Sequence, residues 1–170
     1  MENQAAGEAF WRFSLALYAR PGVADALIAL QDRAGTEVNL ILFGLWLGAT
    51  RGRLLAAADL AAAEAAIAPL RAATVAPLRQ LRRQLKDAGD GDLQALRRGV
   101  AGLELAAERR VQHRLAGSPP AATSGDRHPA SESDRLAAAE ANLALILGKD
   151  SGSPEAGAIC QGLAGLIHRA

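Results

Sequence analysis

Apolar positions run almost without a break through the stretch TEVNLILFGLWLGATRG, which covers residues 36–52. Between Val38 and Gly48 the only polar side chain is that of Asn39. A helix that is hydrophobic on every side is stable only when other elements cover all of its faces. These eleven residues also fall short of the roughly 20 needed to cross a bilayer. We therefore predict a buried central helix at about 36–52 and no transmembrane segment.

Two amphipathic helices are predicted before this central helix. The first spans residues 7–19 with a broad apolar face, and the second spans 22–34 and is ended by Gly35 in a left-handed conformation. Thr36 is then in position to cap the central helix through its hydroxyl. Asn39 falls at the third helical position, so we expect its amide to reach back toward that cap.

After the central helix the sequence predicts one helix interrupted by prolines, followed by a helical hairpin. Pro69 and Pro77 each lack an amide donor, so they kink or restart the helix between 54 and 88. A turn at 87–92 reverses the chain, and a long helix follows from 92 to 116. Apolar residues on both arms are expected to face the core, namely Leu78, Leu81 and Leu85 on the first and Leu93, Leu96, Val100, Leu103 and Ala107 on the second.

A row of basic side chains runs along the first arm of the hairpin at helical spacing. We call it the basic stripe, and its members are Arg79, Arg82, Arg83 and Lys86. Glu104 and Glu108 lie one turn apart on the second arm, where an antiparallel hairpin brings them opposite part of the stripe. The pattern therefore favours ion pairs between the arms. Two alternatives stay open, a basic surface for an acidic partner or a phosphate, and a carboxylate pair with an acid and base role.

The last third of the chain is predicted to hold a loop and two more helices. Residues 117–131 lack periodic apolar positions and are rich in Pro, Ser, Gly and Ala, which is typical of a mobile loop. Ser131 or Ser133 is placed to cap the next helix, and Ser153-Pro154 begins the final one. Glycines inside this final helix each cost it about 1 kcal/mol relative to alanine, so it must gain stability from packing.

Composition agrees with these helical patterns. Alanine is abundant, aromatic residues make up 4% of the chain and β-branched residues are sparse, which favours closely packed helices over sheet. A chain of 170 residues that is 50% hydrophobic is long enough to bury a core. The predicted fold is all-α, a single-domain helical bundle over 1–170 with about six to seven helices around the central helix.

Charge and cysteine content narrow the classes of partner. The 19 basic and 18 acidic side chains nearly cancel, so no field of the whole molecule points to nucleic acid or a membrane. The segment 71–114 is locally basic but has no aromatic residue, which disfavours single-stranded nucleic acid. Cys160 is the only cysteine, which excludes an internal disulfide. Together with the acidic and polar start of the sequence, this predicts a cytoplasmic location.

No motif for a known reaction stands out. The sequence has no P-loop, no Gly-rich dinucleotide turn and no nucleophile paired with a base. The three histidines, His113, His128 and His168, are scattered and lack partners at metal-ligand spacing. We therefore expect no catalytic, cofactor-binding or metal-binding residue, and an enzyme is the least favoured class.

Four blocks of the sequence resemble a known family. They are FWRFSLALYARPGV, ALQDRAGTEVNLILFGLWLG, VAPLRQLRRQLK and LELAAERRVQHRL. Together they are similar to domain of unknown function 2390, an uncharacterised bacterial family found chiefly in Gram-negative bacteria. Asn142-Leu143 resembles its last block, so the resemblance spans nearly the whole chain. It implies no activity, ligand or catalytic residue, because none is assigned to the family.

Two classes of function fit these patterns. The first is a small cytoplasmic interaction protein, an adaptor, assembly or regulatory module whose basic stripe binds an acidic protein partner. The second is a helical small-molecule or lipid-binding protein with a pocket between the first and third helices. The residues of this candidate pocket are Trp11, Ser14, Tyr18, Asn39 and Trp46. The same residues also fit core packing with satisfied polar tips. Homo-oligomerisation stays open in both cases.

Overall fold

The computed structural model describes residues 2–87, 89–120 and 131–168, and most of these residues lie in helices. The α-helices are α1 (Glu2–Tyr18), α2 (Val23–Ala34), α3 (Val38–Arg51), α4 (Ala57–Leu70), α5 (Ala76–Gln84), α6 (Gly91–Gly117), α7 (Glu132–Leu147) and α8 (Pro154–Ile167). A π-helical segment, Arg71–Val75, joins α4 directly to α5, and a 3₁₀ segment, Gly148–Gly152, joins α7 to α8. No described residue lies in a strand, so the all-α prediction is confirmed.

Most of the predicted loop at 117–131 lies outside the described residues. Its first residue, Gly117, still belongs to α6. Its last residue, Ser131, is the N-cap of α7 and accepts a hydrogen bond from the backbone nitrogen of Asp134 at 3.1 Å. Ser153 caps α8 in the same way, with Pro154 in the first turn. The helix starts predicted at both serines are thus confirmed.

The buried centre of the bundle is α3. Every residue from Val38 to Ala49 is buried, which confirms the prediction of a central helix. The most extensive neighbour of α3 is α7, and α1, α2, α4 and α6 cover further parts of its surface. No single described helix is long and apolar enough to span a bilayer, and α1 and α2 reach that length and composition only as a pair bent by 101°.

Glycines set the distance between α3 and α7. A Cβ atom at Gly48 would lie 2.3 Å from the backbone nitrogen of Ala139, far inside van der Waals contact. A Cβ atom at Gly44 would lie 2.7 Å from Cδ1 of Ile146. Positions four apart share one face of a helix, so these two glycines together let the backbone of α7 approach α3 closely.

Asn142 on α7 ties α3 to the connection that follows it. Its side-chain nitrogen donates to the backbone oxygens of Gly44 at 2.9 Å and Arg53 at 2.7 Å. Its side-chain oxygen accepts from the backbone nitrogen of Leu55 at 2.7 Å. Arg53 and Leu55 lie outside any helix, so the buried Asn142 satisfies backbone groups that have no helical partner.

The start of α3 differs from the prediction by one residue. Gly35 adopts the expected left-handed conformation with a φ of 65°. The N-cap, however, is Glu37 and not Thr36. The Glu37 carboxylate accepts from the backbone nitrogen of Asn39 at 3.2 Å and from its side-chain nitrogen at 2.9 Å. The negatively charged carboxylate also interacts favourably with the positive end of the helix dipole, and an uncharged hydroxyl lacks this interaction. Asn39 does contact the cap, but the cap is Glu37 instead of the predicted Thr36, and Asn39 lies at the second helical position instead of the third.

The hairpin of α5 and α6 forms as the sequence predicts, but its apolar stripe is less buried than expected. Four of its leucines are exposed, namely Leu81 (43%), Leu93 (38%), Leu96 (60%) and Leu103 (61%). With 27 residues, α6 is longer than α1 with 17. Its buried positions lie between Glu104 and Ala116. The first half of α6 therefore extends past the helices that bury its second half, and the expectation that the whole stripe faces the core is wrong.

Two glycines in α8 allow it to pack against the junction of α1 and α2. A Cβ atom at Gly162 would lie 2.4 Å from Cγ2 of Val23, and one at Gly165 would lie 2.4 Å from the Arg20 guanidinium. Nothing lies within 4 Å of the corresponding position at Gly157. At two of its three glycines, α8 thus gains close packing that offsets the loss of helix stability caused by glycine.

Candidate functional site

A cavity of about 390 Å³ opens between α1, α3 and α6, with contributions from α2 and α5. We call it the cleft. One part of its wall is apolar and consists of Trp11, Leu15, Ile28, Val38, Leu42 and Leu105. Leu15, Ile28 and Leu105 are 48%, 52% and 54% exposed, so they form a rim that faces solvent.

A chain of buried side-chain hydrogen bonds forms the floor of the cleft. The Ser14 hydroxyl donates to Oε1 of Gln112 at 3.0 Å, and Nε2 of Gln112 donates to Oδ1 of Asn39 at 3.1 Å. The Asn39 side-chain nitrogen then donates to two carboxylates, those of Glu37 and Glu108. Ser14, Gln112 and Asn39 are each no more than 3% exposed. Each member thus finds a partner inside the bundle, as buried polar groups require.

Helical spacing places the polar residues of α6 in the cleft. Glu104, Glu108 and Gln112 follow one another at intervals of four, so they share one face of the helix. Ser14 on α1 and Asn39 in the first turn of α3 meet this face from two other directions. The sequence spacing therefore supplies a polar row, and the packing of three helices closes it into a site.

Arginines from α5 complete the wall through ion pairs. Arg79 donates from Nε to Glu104 at 3.0 Å and from Nη2 to Glu108 at 2.5 Å. Arg82 donates to both oxygens of Glu104, at 2.5 and 3.3 Å. Glu104 therefore accepts from two guanidiniums, whereas Glu108 accepts from one guanidinium and the Asn39 amide.

The π-helical segment places a third arginine beside the same network. Arg71 donates to Glu37 and to Glu64, each at 2.7 Å. A π-turn holds one residue more than an α-turn, so positions eight apart across it lie on nearly the same face, as positions seven apart do in an uninterrupted α-helix. Arg71 and Arg79 are related in this way. The interruption between Pro69 and Pro77 thus directs both guanidiniums toward α3 and α6.

The two carboxylates of α6 differ in their acidity. Burial acts to raise the pKa of Glu104, but hydrogen bonds from Arg82 and Arg79 outweigh it and hold that pKa below its usual value. Burial raises the pKa of Glu108, and together with the smaller effect of the neighbouring Glu37 and Glu104 carboxylates it outweighs the lowering by the Asn39 hydrogen bond and the Arg79 charge. Burial, with the Glu108 charge nearby, also raises the pKa of Tyr18 to about 12.

A family match covers the part of the chain that builds this site. Residues 9–115 match the sequence model of a family described as Protein of unknown function (DUF2390), and this is more than half of the chain. The chain belongs to this family. No significant match was found among curated proteins or among solved structures. All residues that line the cleft lie within the matched part, whereas the predicted last block at Asn142 lies beyond it.

Four of the five candidate pocket residues line the cleft of this DUF2390 protein, namely Trp11, Ser14, Tyr18 and Asn39. Trp46 does not, and its inclusion in the pocket is wrong. Trp46 lies seven residues after Asn39, which corresponds to about 10 Å along the helix axis. At that depth the Phe10 ring stacks on it with 5.0 Å between centroids, so Trp46 is 4% exposed and belongs to the core.

The basic stripe is divided between two environments. Arg79 and Arg82 pair with α6, as the sequence favours. Arg83 pairs instead with Asp32 of α2 at 2.8 Å, on the exposed surface. Lys86 is exposed and forms no ion pair with the part of the chain that the structure describes. The stripe is therefore mostly neutralised within the DUF2390 fold.

Three residues of the network escaped the sequence reasoning, namely Glu37, Arg71 and Gln112. For Gln112 a signal exists, because it continues the four-residue spacing of Glu104 and Glu108. For Glu37 and Arg71 no local sequence pattern predicts their ion pair, because 34 positions separate the two residues. Among the described residues, no group of three or more His, Cys, Asp or Glu side chains is arranged to hold a metal ion.

A second, more open groove of about 1200 Å³ runs along α1 and α6 beside the cleft. Arg109 donates to both oxygens of Glu8, at 2.5 and 2.6 Å, and its guanidinium lies 5.9 Å from the centroid of the Trp11 ring. Trp11, Leu15 and Leu105 line both the groove and the cleft. These three side chains therefore form the partition between them.

Proposed function

We propose that this protein binds a small organic molecule in the cleft between α1, α3 and α6. The observation that supports the proposal most strongly is a cavity of about 390 Å³ whose apolar rim leads to a row of buried, oriented polar groups. Ligand sites in proteins commonly have volumes of about 300–1,000 Å³ and combine an apolar lining with a few fixed polar groups. The cleft has both properties.

Groups without protein partners also favour a ligand over simple core packing. The Tyr18 hydroxyl lines the cleft, and no described residue forms a hydrogen bond with it. The side-chain amide of Gln31 also lines the cleft, and it too forms no hydrogen bond with a described residue. Polar groups at the wall of a water-accessible cavity are available to a ligand at little desolvation cost. The neighbouring Ser14 and Asn39 are fully engaged, so they hold the wall rigid.

The first experiment is purification of the protein from its native host, followed by mass spectrometry of released small molecules. The matched variants are Ile28→Trp and Leu105→Trp, which narrow the cleft at exposed rim positions, and Leu54→Trp, which adds the same bulk at a residue 61% exposed in the connection after α3. A cleft ligand should be retained by the wild type and Leu54→Trp and lost from both rim variants. Equal recovery from all four proteins would rule the proposal out.

The second candidate function is that of a protein-interaction module. Its support is the row of exposed leucines on the hairpin, Leu81, Leu93, Leu96 and Leu103. Contiguous exposed apolar surface on a small protein often marks a binding site for another protein. Arg83 and Lys86 lie on the same hairpin, so an acidic partner with an apolar face would suit it.

The same purification separates this candidate from the first. Leu96→Glu together with Leu103→Glu should abolish recovery of a partner protein while leaving any cleft ligand in place. Leu54→Glu is the control, because its exposure of 61% matches that of Leu103. Recovery of the partner by the double variant would eliminate the hairpin surface as its binding site.

A bacterial origin and a cytoplasmic location are also proposed. The first rests on the resemblance to an uncharacterised bacterial family. The second rests on the composition, in which Cys160 is the only cysteine and acidic and basic residues nearly balance. Fractionation of the native host, with immunodetection of the protein in each compartment, tests the location.

A further inference from the structure

The ligand class follows from the charges of the cleft, if the cleft binds a small molecule as proposed above. We infer that the ligand is an organic amine whose ammonium group binds Glu108 and whose apolar body lies along Trp11, Leu15 and Leu105. Four observations support this assignment: the free capacity of Glu108, the surrounding charges, the position of Tyr18 and the shape of the lining.

Of the two carboxylates that line the cleft, Glu104 and Glu108, the second has more capacity for a further hydrogen-bond donor. Its oxygens accept one bond from Arg79 and one from Asn39, whereas a carboxylate offers about four acceptor sites. Glu104, by comparison, accepts three bonds from two guanidiniums. The Glu108 side chain is 18% exposed and lines the cleft, so a ligand can reach it.

The network of ion pairs around Glu108 carries one more carboxylate than guanidinium, because Arg71 pairs with Glu37 and Glu64, while Arg79 and Arg82 pair with Glu104 and Glu108. Glu37 lies on the α3 side, Glu104 lies one turn away on α6, and the Arg79 guanidinium is shared with Glu104. Burial and these carboxylates raise the pKa of Glu108, and burial and Glu108 raise the pKa of the Tyr18 hydroxyl as well. A cation in the cleft would relieve this repulsion, and an anion would add to it.

Tyr18 and the rim complete the fit to an amine. The Tyr18 hydroxyl has no hydrogen-bond partner among the described residues, and its oxygen is an acceptor for an ammonium N–H. Arg109 already lies over the Trp11 ring, so Trp11 is suited to packing against the apolar body of the ligand and not to binding its charge. An ammonium group with an apolar substituent matches both parts of the lining.

The test compares three probes of nearly equal shape, 4-phenylbutylamine, 4-phenylbutan-1-ol and 4-phenylbutyrate, titrated into ¹⁵N-labelled protein. The indole N–H resonance of Trp11 reports binding in the cleft or in the adjoining groove, and that of Trp46 is the internal control because Trp46 lies in the core. The Glu108 variant described below distinguishes the two locations, because Glu108 lines the cleft and not the groove. We expect the amine to shift the Trp11 resonance with at least about tenfold higher affinity than the alcohol or the carboxylate, since a hydrogen bond to a charged group contributes that much.

A pair of variants assigns the effect to one carboxylate. Glu108→Gln should lower the affinity for the amine by about tenfold and leave the affinity for the alcohol unchanged, because the substitution removes the charge and keeps the shape of the side chain. Glu140→Gln, at an exposed position of α7, should leave the affinity of all three probes unchanged. If Glu108→Gln does not weaken the amine, Glu108 is not its site and the inference is overturned.

The outcomes separate this inference from the proposed function. If the alcohol or the carboxylate shifts Trp11 with an affinity equal to that of the amine, the amine assignment is wrong, and loss of that binding in Leu105→Trp and Ile28→Trp shows whether the cleft holds the probes. If none of the probes shifts Trp11, the amine assignment fails, and the small molecules recovered from the native host decide the proposed function separately.

Discussion

Gln112 on α6 donates a hydrogen bond of 3.1 Å to the side-chain oxygen of Asn39 on α3, although 73 positions separate them in the chain. This bond joins two networks of different character. On one side Gln112 accepts from the neutral Ser14 hydroxyl, and on the other Asn39 donates to the carboxylates of Glu37 and Glu108. Asn39 is therefore the junction between the neutral floor of the cleft and its ionic wall.

The role of Asn39 as a donor predicts the effect of Asn39→Asp. The substitution keeps the shape but removes both N–H donors and places a third carboxylate between two others. A buried charge without a partner costs about 3–5 kcal/mol, and we expect a loss of this order in urea unfolding at pH 7. The loss should shrink as the pH is lowered, because the crowded carboxylates take up protons. Asn3→Asp, on the exposed first turn of α1, is the control and should cost almost nothing.

The opposite pKa shifts of Glu104 and Glu108 predict opposite pH dependences. The pKa of Glu104 is lowered in the folded protein, so its contribution to stability is present above the pKa of the unfolded state and is lost as the pH falls. The pKa of Glu108 is raised, so its contribution is greatest below the pKa of the unfolded state, about 4.3, and is lost as the pH rises.

Each substitution by glutamine removes one of these contributions. Relative to the wild type, Glu104→Gln should become progressively less stable as the pH rises from about 2 to about 5, because its folded pKa lies below the unfolded value of about 4.3. Glu108→Gln should become progressively more stable as the pH rises from about 4 to about 7, because its folded pKa lies above that value. Urea unfolding at several pH values measures both differences. Slopes of the same sign for the two variants would contradict the assignment of the charges in the cleft.

Substitution of Gly48 by alanine should cause a steric clash, and the same substitution at the control position Gly102 should not. Gly48→Ala places a Cβ atom 2.3 Å from the Ala139 backbone, and no side-chain movement can relieve such a contact. We expect overpacking to cost at least about 1–3 kcal/mol. Gly102→Ala meets nothing within 4 Å on α6, so it should stabilise the protein by up to about 1 kcal/mol through helix propensity. Thermal unfolding of the two variants should move in opposite directions, and a neutral Gly48→Ala would show that α3 and α7 are farther apart.

Trp46 and Trp11 differ in their surroundings and should differ in their contribution to stability. Trp46 is 4% exposed and packs on Phe10 and Phe43. Trp46→Ala should therefore cost about 3–5 kcal/mol, as large-to-small aromatic changes in cores do. Trp11 is only half-buried at the cleft, so Trp11→Ala should cost less. A loss below about 1 kcal/mol for Trp46→Ala in urea unfolding would refute its place in the core.

Hydrophobic periodicity alone determined which segments form helices and which helix lies at the centre. The continuous apolar stretch around Val38 to Gly48 requires cover on all sides, and a sequence can state that requirement without naming the neighbours. The ion pairs of Arg79 and Arg82 were also predictable, since opposite charges at helical spacing face each other in an antiparallel hairpin.

Tertiary structure alone decided which polar residues meet and how far each helix is covered. Periodicity shows that Asn39 and Trp46 share one face of α3, but it does not show how far along that face the cavity extends, so it placed Trp46 in the pocket although two helical turns separate it from Asn39. Periodicity also does not show how long the neighbouring helices are. It therefore assigned Leu96 to the core, although α6 is longer than α1 and Leu96 is exposed. Long-range pairs such as Ser14 with Gln112 arise only when three helices pack together, because no local spacing connects residues 98 positions apart.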